Sequence, residues 1–198
     1  MNFICHRRNT IEELLSTPNQ YGVEVDIRSN QGQLIIHHDP FSEGENFVEW
    51  LKNYQHGTLI LNVKEEGLEA RLIELMKQYQ ISDYFFLDQS FPFLIKWSKL
   101  GERNCAARVS EFESIETVMT LAGKIDWIWV DCFTHFPLVA LDAQRLEGAG
   151  FKLCLVSPEL QGRPAETEIP LLAALLRQHS INPEAICTKY PELWKVCL

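Results

Sequence analysis

Gly22-Val23-Glu24-Val25-Asp26-Ile27-Arg28 reads as a β-strand, with apolar and acidic residues alternating at the strand period of two. Runs of similar apolar, β-branched or aromatic character recur at Phe3–Arg7, Thr58–Lys64, Tyr84–Gln89, Cys105–Glu111, Trp127–Phe133, Lys152–Glu159 and Ala185–Tyr190, which makes eight candidate strands. Segments of helical period lie between most of them. Phe47, Trp50, Leu51 and Tyr54 keep the i, i+3, i+4, i+7 spacing, as do Ile115, Val118, Met119 and Ala122. Leu68, Leu72, Leu75, Met76 and Tyr79 form a third stripe, and Leu171, Leu172, Leu175 and Leu176 a fourth. All four read as core-facing helix surfaces. Strands alternating with helices imply an α/β fold with a mainly parallel sheet, and eight such units imply a (β/α)8 TIM barrel. Such barrels typically need ~250 residues, whereas this chain has 198. The barrel must therefore be compact, with short loops and a stunted or missing helix.

Gln33–His37 reads as an extra strand, paired with Gly22–Arg28 through the Ser29-Asn30-Gln31-Gly32 turn. No linker, low-complexity tract or charge block interrupts the chain, so residues 1–198 form one domain on this reading. Gly162–Thr167 is the most loop-like stretch and fits a βα loop.

The 18 Lys and Arg against 27 Asp and Glu give a net charge of −9, and the pI is near 5.2. That balance argues against nucleic acid as a partner, which is bound by clustered cations. With 46% hydrophobic and 23% charged residues the composition is globular. No apolar run approaches the ~18 residues of a membrane span, and the start MNFICHRRNT has no signal-peptide core, so the expected compartment is the cytoplasm. The six cysteines contain no CxxC pair, and five sit in strand-like runs where a reduced cysteine is a small hydrophobe. Nothing here bears on oligomeric state.

In barrels of this kind catalytic groups sit at the C-terminal ends of the strands. Polar residues accumulate there: His6 and Arg7, Glu24 and Asp26, His37 to Asp39, Asn62 and Lys64, Asp88, Arg108, Ser110 and Glu111, Asp131, Ser157 and Glu159, Thr188 and Lys189. Glu24 and Asp26 share one strand face about 6–7 Å apart. Two readings of that pair stand side by side: a hard divalent cation held by oxygen ligands, or an alternating strand with one polar face. His6 and His38 at strand ends can divide general acid and general base duties. His37 and His38 point to opposite faces, so one of the two reaches the site. Arg7 and Lys64 are cations where an anionic substrate would sit, and a phosphate suits a site that combines them with a divalent ion; they also neutralise Glu24 and Asp26.

These residues resemble the glycerophosphodiester phosphodiesterase family, whose N-terminal region carries His-Arg-Gly, Glu-x-Asp and His-Asp in order. The matches here are Cys5-His6-Arg7-Arg8-Asn9-Thr10, Gly22-Val23-Glu24-Val25-Asp26-Ile27-Arg28 and Ile36-His37-His38-Asp39, followed more weakly by Leu61-Asn62-Val63-Lys64 and Ile186-Cys187-Thr188-Lys189-Tyr190-Pro191. The resemblance is to a short, divergent member with a TIM barrel like that of phosphatidylinositol phosphodiesterases. It implies His6 and His38 as acid and base, with His38 chosen because it directly precedes Asp39. It further implies Glu24, Asp26 and Asn62 as ligands of Mg²⁺ or Ca²⁺, Arg7 and Lys64 as phosphate-holding cations, and a small-molecule phosphodiester as substrate. Three positions depart from the family pattern: Arg8 replaces the glycine, Asn62 the third acid, and Lys189 the aspartate of the last motif. Those departures keep a noncatalytic phosphate-ester-binding protein as the alternative. A Schiff-base enzyme using Lys64 or Lys189 ranks below both, because it leaves the acidic pair and the histidines without a role.

Overall fold

A computed structural model describes residues 1–198. Its strands are β1 (Asn2–Cys5), β2 (Gly22–Asn30), β3 (Gln33–Ile36), β4 (Glu45–Asn46), β5 (Leu59–Val63), β6 (Tyr84–Leu87), β7 (Ala106–Val109), β8 (Trp127–Val130), β9 (Lys152–Val156) and β10 (Ala185–Thr188). The helices are α1 (Ile11–Ser16), α2 (Phe47–Leu51), α3 (Glu69–Gln78), α4 (Phe91–Lys99), α5 (Ile115–Met119), α6 (Ala140–Gly148), α7 (Ala165–Gln178) and α8 (Pro191–Cys197). Every strand expected from the sequence is present; β1, β6, β8 and β9 stop before their polar C-terminal residues, whereas β2 carries Glu24 and Asp26 within it, β5 Asn62, β7 Arg108 and β10 Thr188. No helix is missing, but α1, α2 and α5 span six residues or fewer.

Local chemistry sets the boundaries. Thr10 and Glu13 close a capping box on α1, Asn46 and Ser114 cap α2 and α5, and Pro92 and Pro191 sit in the first turns of α4 and α8. Asn30 pairs with Gln33 around a two-residue turn in which Gln31 and Gly32 both take positive φ, the geometry that matches strand twist in a hairpin. The extra strand stops at Ile36, so His37 lies beyond it. Gly162 is left-handed, as its place after the Pro158–Gln161 turn requires, but Ala165–Thr167, expected as loop, already belong to α7. Leu171, expected to face the core, is 64% exposed, while Leu172 and Leu176 carry the buried face of α7.

Eight strands run parallel in one curled sheet: β2 pairs with β1 and β5, β5 with β6, and β7 to β10 follow in order until β10 returns to β1. Helices pack outside it. Outward residues such as Val23, Val25, Leu61, Ile128 and Leu155 join the larger apolar cluster beneath the helices, while Ile4, Ile60, Phe85, Trp127, Cys154 and Cys187 fill the interior. Phe85 and Trp127 stack there with ring centroids 4.4 Å apart. All six cysteines are free, five of them buried, as the expected filler requires.

The closed barrel expected from the sequence is not reached in full, because one seam lacks a ladder. Between β6 and β7 there is an isolated bridge, Phe86 to Cys105, beside a Phe86 N–H bond to the Asn104 carbonyl of 2.8 Å. The next residue that could continue the pairing is Asp88, which takes φ +61° and turns the chain out of strand geometry. No backbone hydrogen bond then joins Asp88 to Arg108; their side chains form an ion pair across the gap instead.

Candidate active site

Because β2 alternates, Val23, Val25 and Ile27 go to the helices while Glu24 and Asp26 turn inward, both essentially inaccessible to solvent. Each is held by the chain that leaves β1. Glu24 Oε2 accepts from the Arg7 N–H at 2.7 Å, and Asn62 Nδ2 donates to Glu24 Oε1 at 2.9 Å. Asn9 Nδ2 donates to Asp26 Oδ2 at 2.9 Å, and the Asp26 N–H donates to Asn9 Oδ1 at 3.1 Å. Asn9 is thus a positioning residue that the sequence reading did not single out, although it stands within the quoted His-Arg segment.

Arg7 Nε lies 3.5 Å from Asp26 Oδ2, Lys64 Nζ 3.3 Å from both Asp26 Oδ1 and Asp88 Oδ2, and His6 Nε2 3.8 Å from Glu24 Oε2. Burial and the Asp26 charge outweigh the bonds from Asn62 and the Arg7 N–H and the Lys64 charge, and hold the Glu24 carboxyl above the usual range. Burial and the Arg7, Lys189 and Lys64 cations outweigh the pull of Asp26 on His6 and lower its imidazole to about 3.

His6, Arg7, Glu24, Asn62 and Lys64 border one cavity of about 260 Å³ at the C-terminal mouth of the sheet. Arg108, Asp131, Trp129, Gln161 and Lys189 complete its rim. Arg108 is neutralised by Asp88 and Asp131, whereas Lys189 forms no ion pair. Trp129 and Gln161 carried no sequence signal, since their arrival depends on the curl of the sheet. Asp26 does not border the cavity but pairs with Arg7 and Lys64, which do. His38 does not border it: the ring sits on the loop after β3, 43% exposed, with Nδ1 2.7 Å from Asp39 Oδ1, and its carbonyl accepts two bonds from Arg28. His37 folds back on its own loop, with Nδ1 3.0 Å from the Asp39 N–H.

The donor set suits a hard divalent cation in type, with two carboxylates and one amide, and Asn62 Oδ1 is a buried oxygen with no hydrogen-bond partner. It is a small set, because no group of three or more His, Cys, Asp or Glu side chains converges anywhere in the chain.

A curled parallel α/β sheet with cations, carboxylates and a histidine gathered at its C-terminal mouth defines a TIM-barrel-like protein with a charged mouth cavity. No protein-family model and no curated protein sequence matches the chain. Among solved structures it is similar to a glycerophosphodiester phosphodiesterase from Agrobacterium tumefaciens, with TM-score 0.64 and 12% identity, over 100% of this chain and 98% of the other. It is also similar to a glycerophosphoryl diester phosphodiesterase from Parabacteroides distasonis, with TM-score 0.67 and 11% identity, over 99% and 85%. The fold likeness thus falls on the family that the sequence motifs resemble. No helix is long and apolar enough to cross a membrane.

Proposed function

We propose that this protein is a phosphoric diester hydrolase that cleaves a small glycerophosphodiester-like substrate at the mouth cavity, within a single domain of residues 1–198. The observation that carries the reading is the arrival of Arg7, Lys64, His6, Glu24 and Asn62, carried by β1, β2 and β5 and the residues directly after them, around one cavity of about 260 Å³. Arg7 and Lys64 hold the phosphoryl oxygens, since charge grows there as the ester bond breaks. His6 borders the cavity, and with His38 it divides the transfer of a proton from the attacking hydroxyl and to the leaving alkoxide. Attack comes from water or from a neighbouring hydroxyl of the substrate. Glu24, Asp26 and Asn62 would hold Mg²⁺ or Ca²⁺, which when bound adds positive charge against the phosphoryl oxygens. The buried free thiols suit a reducing, cytoplasmic setting.

One observation favours the alternative, a noncatalytic phosphate-ester-binding protein: His38 is tied to Asp39 outside the cavity. Hydrolysis of glycerophosphodiesters and of an aryl phosphodiester, with and without EDTA, separates the two. His6→Ala and His38→Ala are each expected to slow hydrolysis by roughly 10²- to 10⁴-fold with the circular dichroism spectrum unchanged. A wild type that binds glycerol phosphate yet hydrolyses nothing in the panel would establish the binding protein instead.

A further inference from the structure

The unzipped seam between β6 and β7 opens a second and larger cavity, about 660 Å³, between α4 and α5. Leu87, Leu94, Ala107 and Val118 line it, and Phe91 and Phe112 stand at its rim, 50% and 80% exposed. It adjoins the mouth: Leu87, Asp88 and Arg108 border both cavities, and the Asp88–Arg108 ion pair stands between them. The two spaces differ in chemistry. The mouth is lined mainly by charged and polar groups and, at about 260 Å³, has room for little beyond a phosphoryl group and a small alcohol. The seam cavity falls inside the range of roughly 300–1,000 Å³ typical of small-molecule sites, and its lining is mixed, with Gln89, Glu113, Ser114 and Thr117 beside those apolar side chains. Two exposed phenylalanine rings at one opening are a further cost in water unless an apolar ligand covers them.

We infer that the seam cavity is a subsite for the apolar arm of a phosphodiester whose phosphate sits at the mouth, so that the preferred substrate carries an alkyl or acyl chain on one of its two alcohols. This rests on the proposed function for the position of the phosphate. A chain leaving the mouth past Arg108 reaches the seam by parting the Asp88–Arg108 ion pair, whereas a purely polar diester leaves this cavity unused.

The test is calorimetric titration with methyl, butyl, hexyl and octyl phosphate, kept below the concentrations at which they aggregate. In the wild type, affinity is expected to rise by about 3–4-fold for each methylene buried. Thr117→Trp places a large ring in the cavity from an exposed helix position, and Phe112→Asp sets a charge at its rim. Both are expected to abolish the rise while leaving methyl phosphate binding unchanged. A wild type with no dependence on chain length, or variants that keep it, would overturn the inference. The mouth is read separately: Lys64→Gln should weaken every member of the series equally, and its failure to do so would count against the phosphate site and not against the seam.

Discussion

Arg7 shows how the site and its backbone are bound together. Its φ of +51° is uncommon for a residue with a side chain, and the 2.7 Å bond from its N–H to Glu24 holds it there. Arg7→Gly would remove the strain and the guanidinium together. The expected outcome is an unchanged or higher melting temperature alongside a loss of phosphate affinity of about 10-fold or more, read by thermal denaturation and calorimetry on the same sample. Asn62 offers a second separation. Replacing its amide by a carboxylate adds the third anionic oxygen donor that the cage lacks, so Asn62→Asp is expected to tighten Ca²⁺ or Mg²⁺ binding. A titration showing equal or weaker binding would remove Asn62 from the ligand set.

At the scale of elements, the mouth depends on strands meeting closely and on loops being tied down. Gly22 begins β2 where a Cβ would come within 2.4 Å of the Thr58 carbonyl oxygen. Gly22→Ala must therefore push β2 from β5, with an expected destabilisation of roughly 1–3 kcal/mol measured by denaturant unfolding. The loop after β8 is tied down by Glu111, which accepts from the backbone N–H groups of Phe133, Thr134 and His135. Burial raises that carboxyl, but the backbone bonds from His135 and Thr134 outweigh it and lower it to about 2. Because the folded value lies below the ordinary 4.5, this contribution to stability is complete above pH 4.5 and is lost as pH falls toward 2. Glu111→Gln should flatten that part of the stability profile and destabilise the protein at neutral pH by about 1–3 kcal/mol.

Over the whole molecule, the seam is where the ring of strands is weakest. The Val109 amide is paired into the β8 ladder, whereas the Arg108 amide points across the gap and finds no backbone partner there. Hydrogen exchange is expected to be markedly faster at Arg108 than at Val109. Equal protection at the two positions would mean that the seam is zipped in solution, and the apolar subsite would lose its entrance.

The eight strands were legible in the sequence because a half-buried or buried strand needs a short apolar run, and the chain contains eight of them. The stripes behind α2, α3, α5 and α7 were legible for the same reason at period 3.6. α1, α4, α6 and α8 were not read, although the Thr10–Glu13 capping box marked the first of them. His6, Arg7, Glu24, Asp26, Asn62 and Lys64 stood out because strand ends and strand parity are properties of local sequence, and parity dictates which side chains share a face. What parity cannot supply is the distance between residues far apart in the chain. The company of Asn9 with Asp26, the placing of His38 outside the cavity, the arrival of Trp129 and Gln161, and the break opened by Asp88 all follow from how the sheet curls and where one backbone torsion leaves it. Those depend on the packing of all eight units against one another, which only the tertiary structure decides.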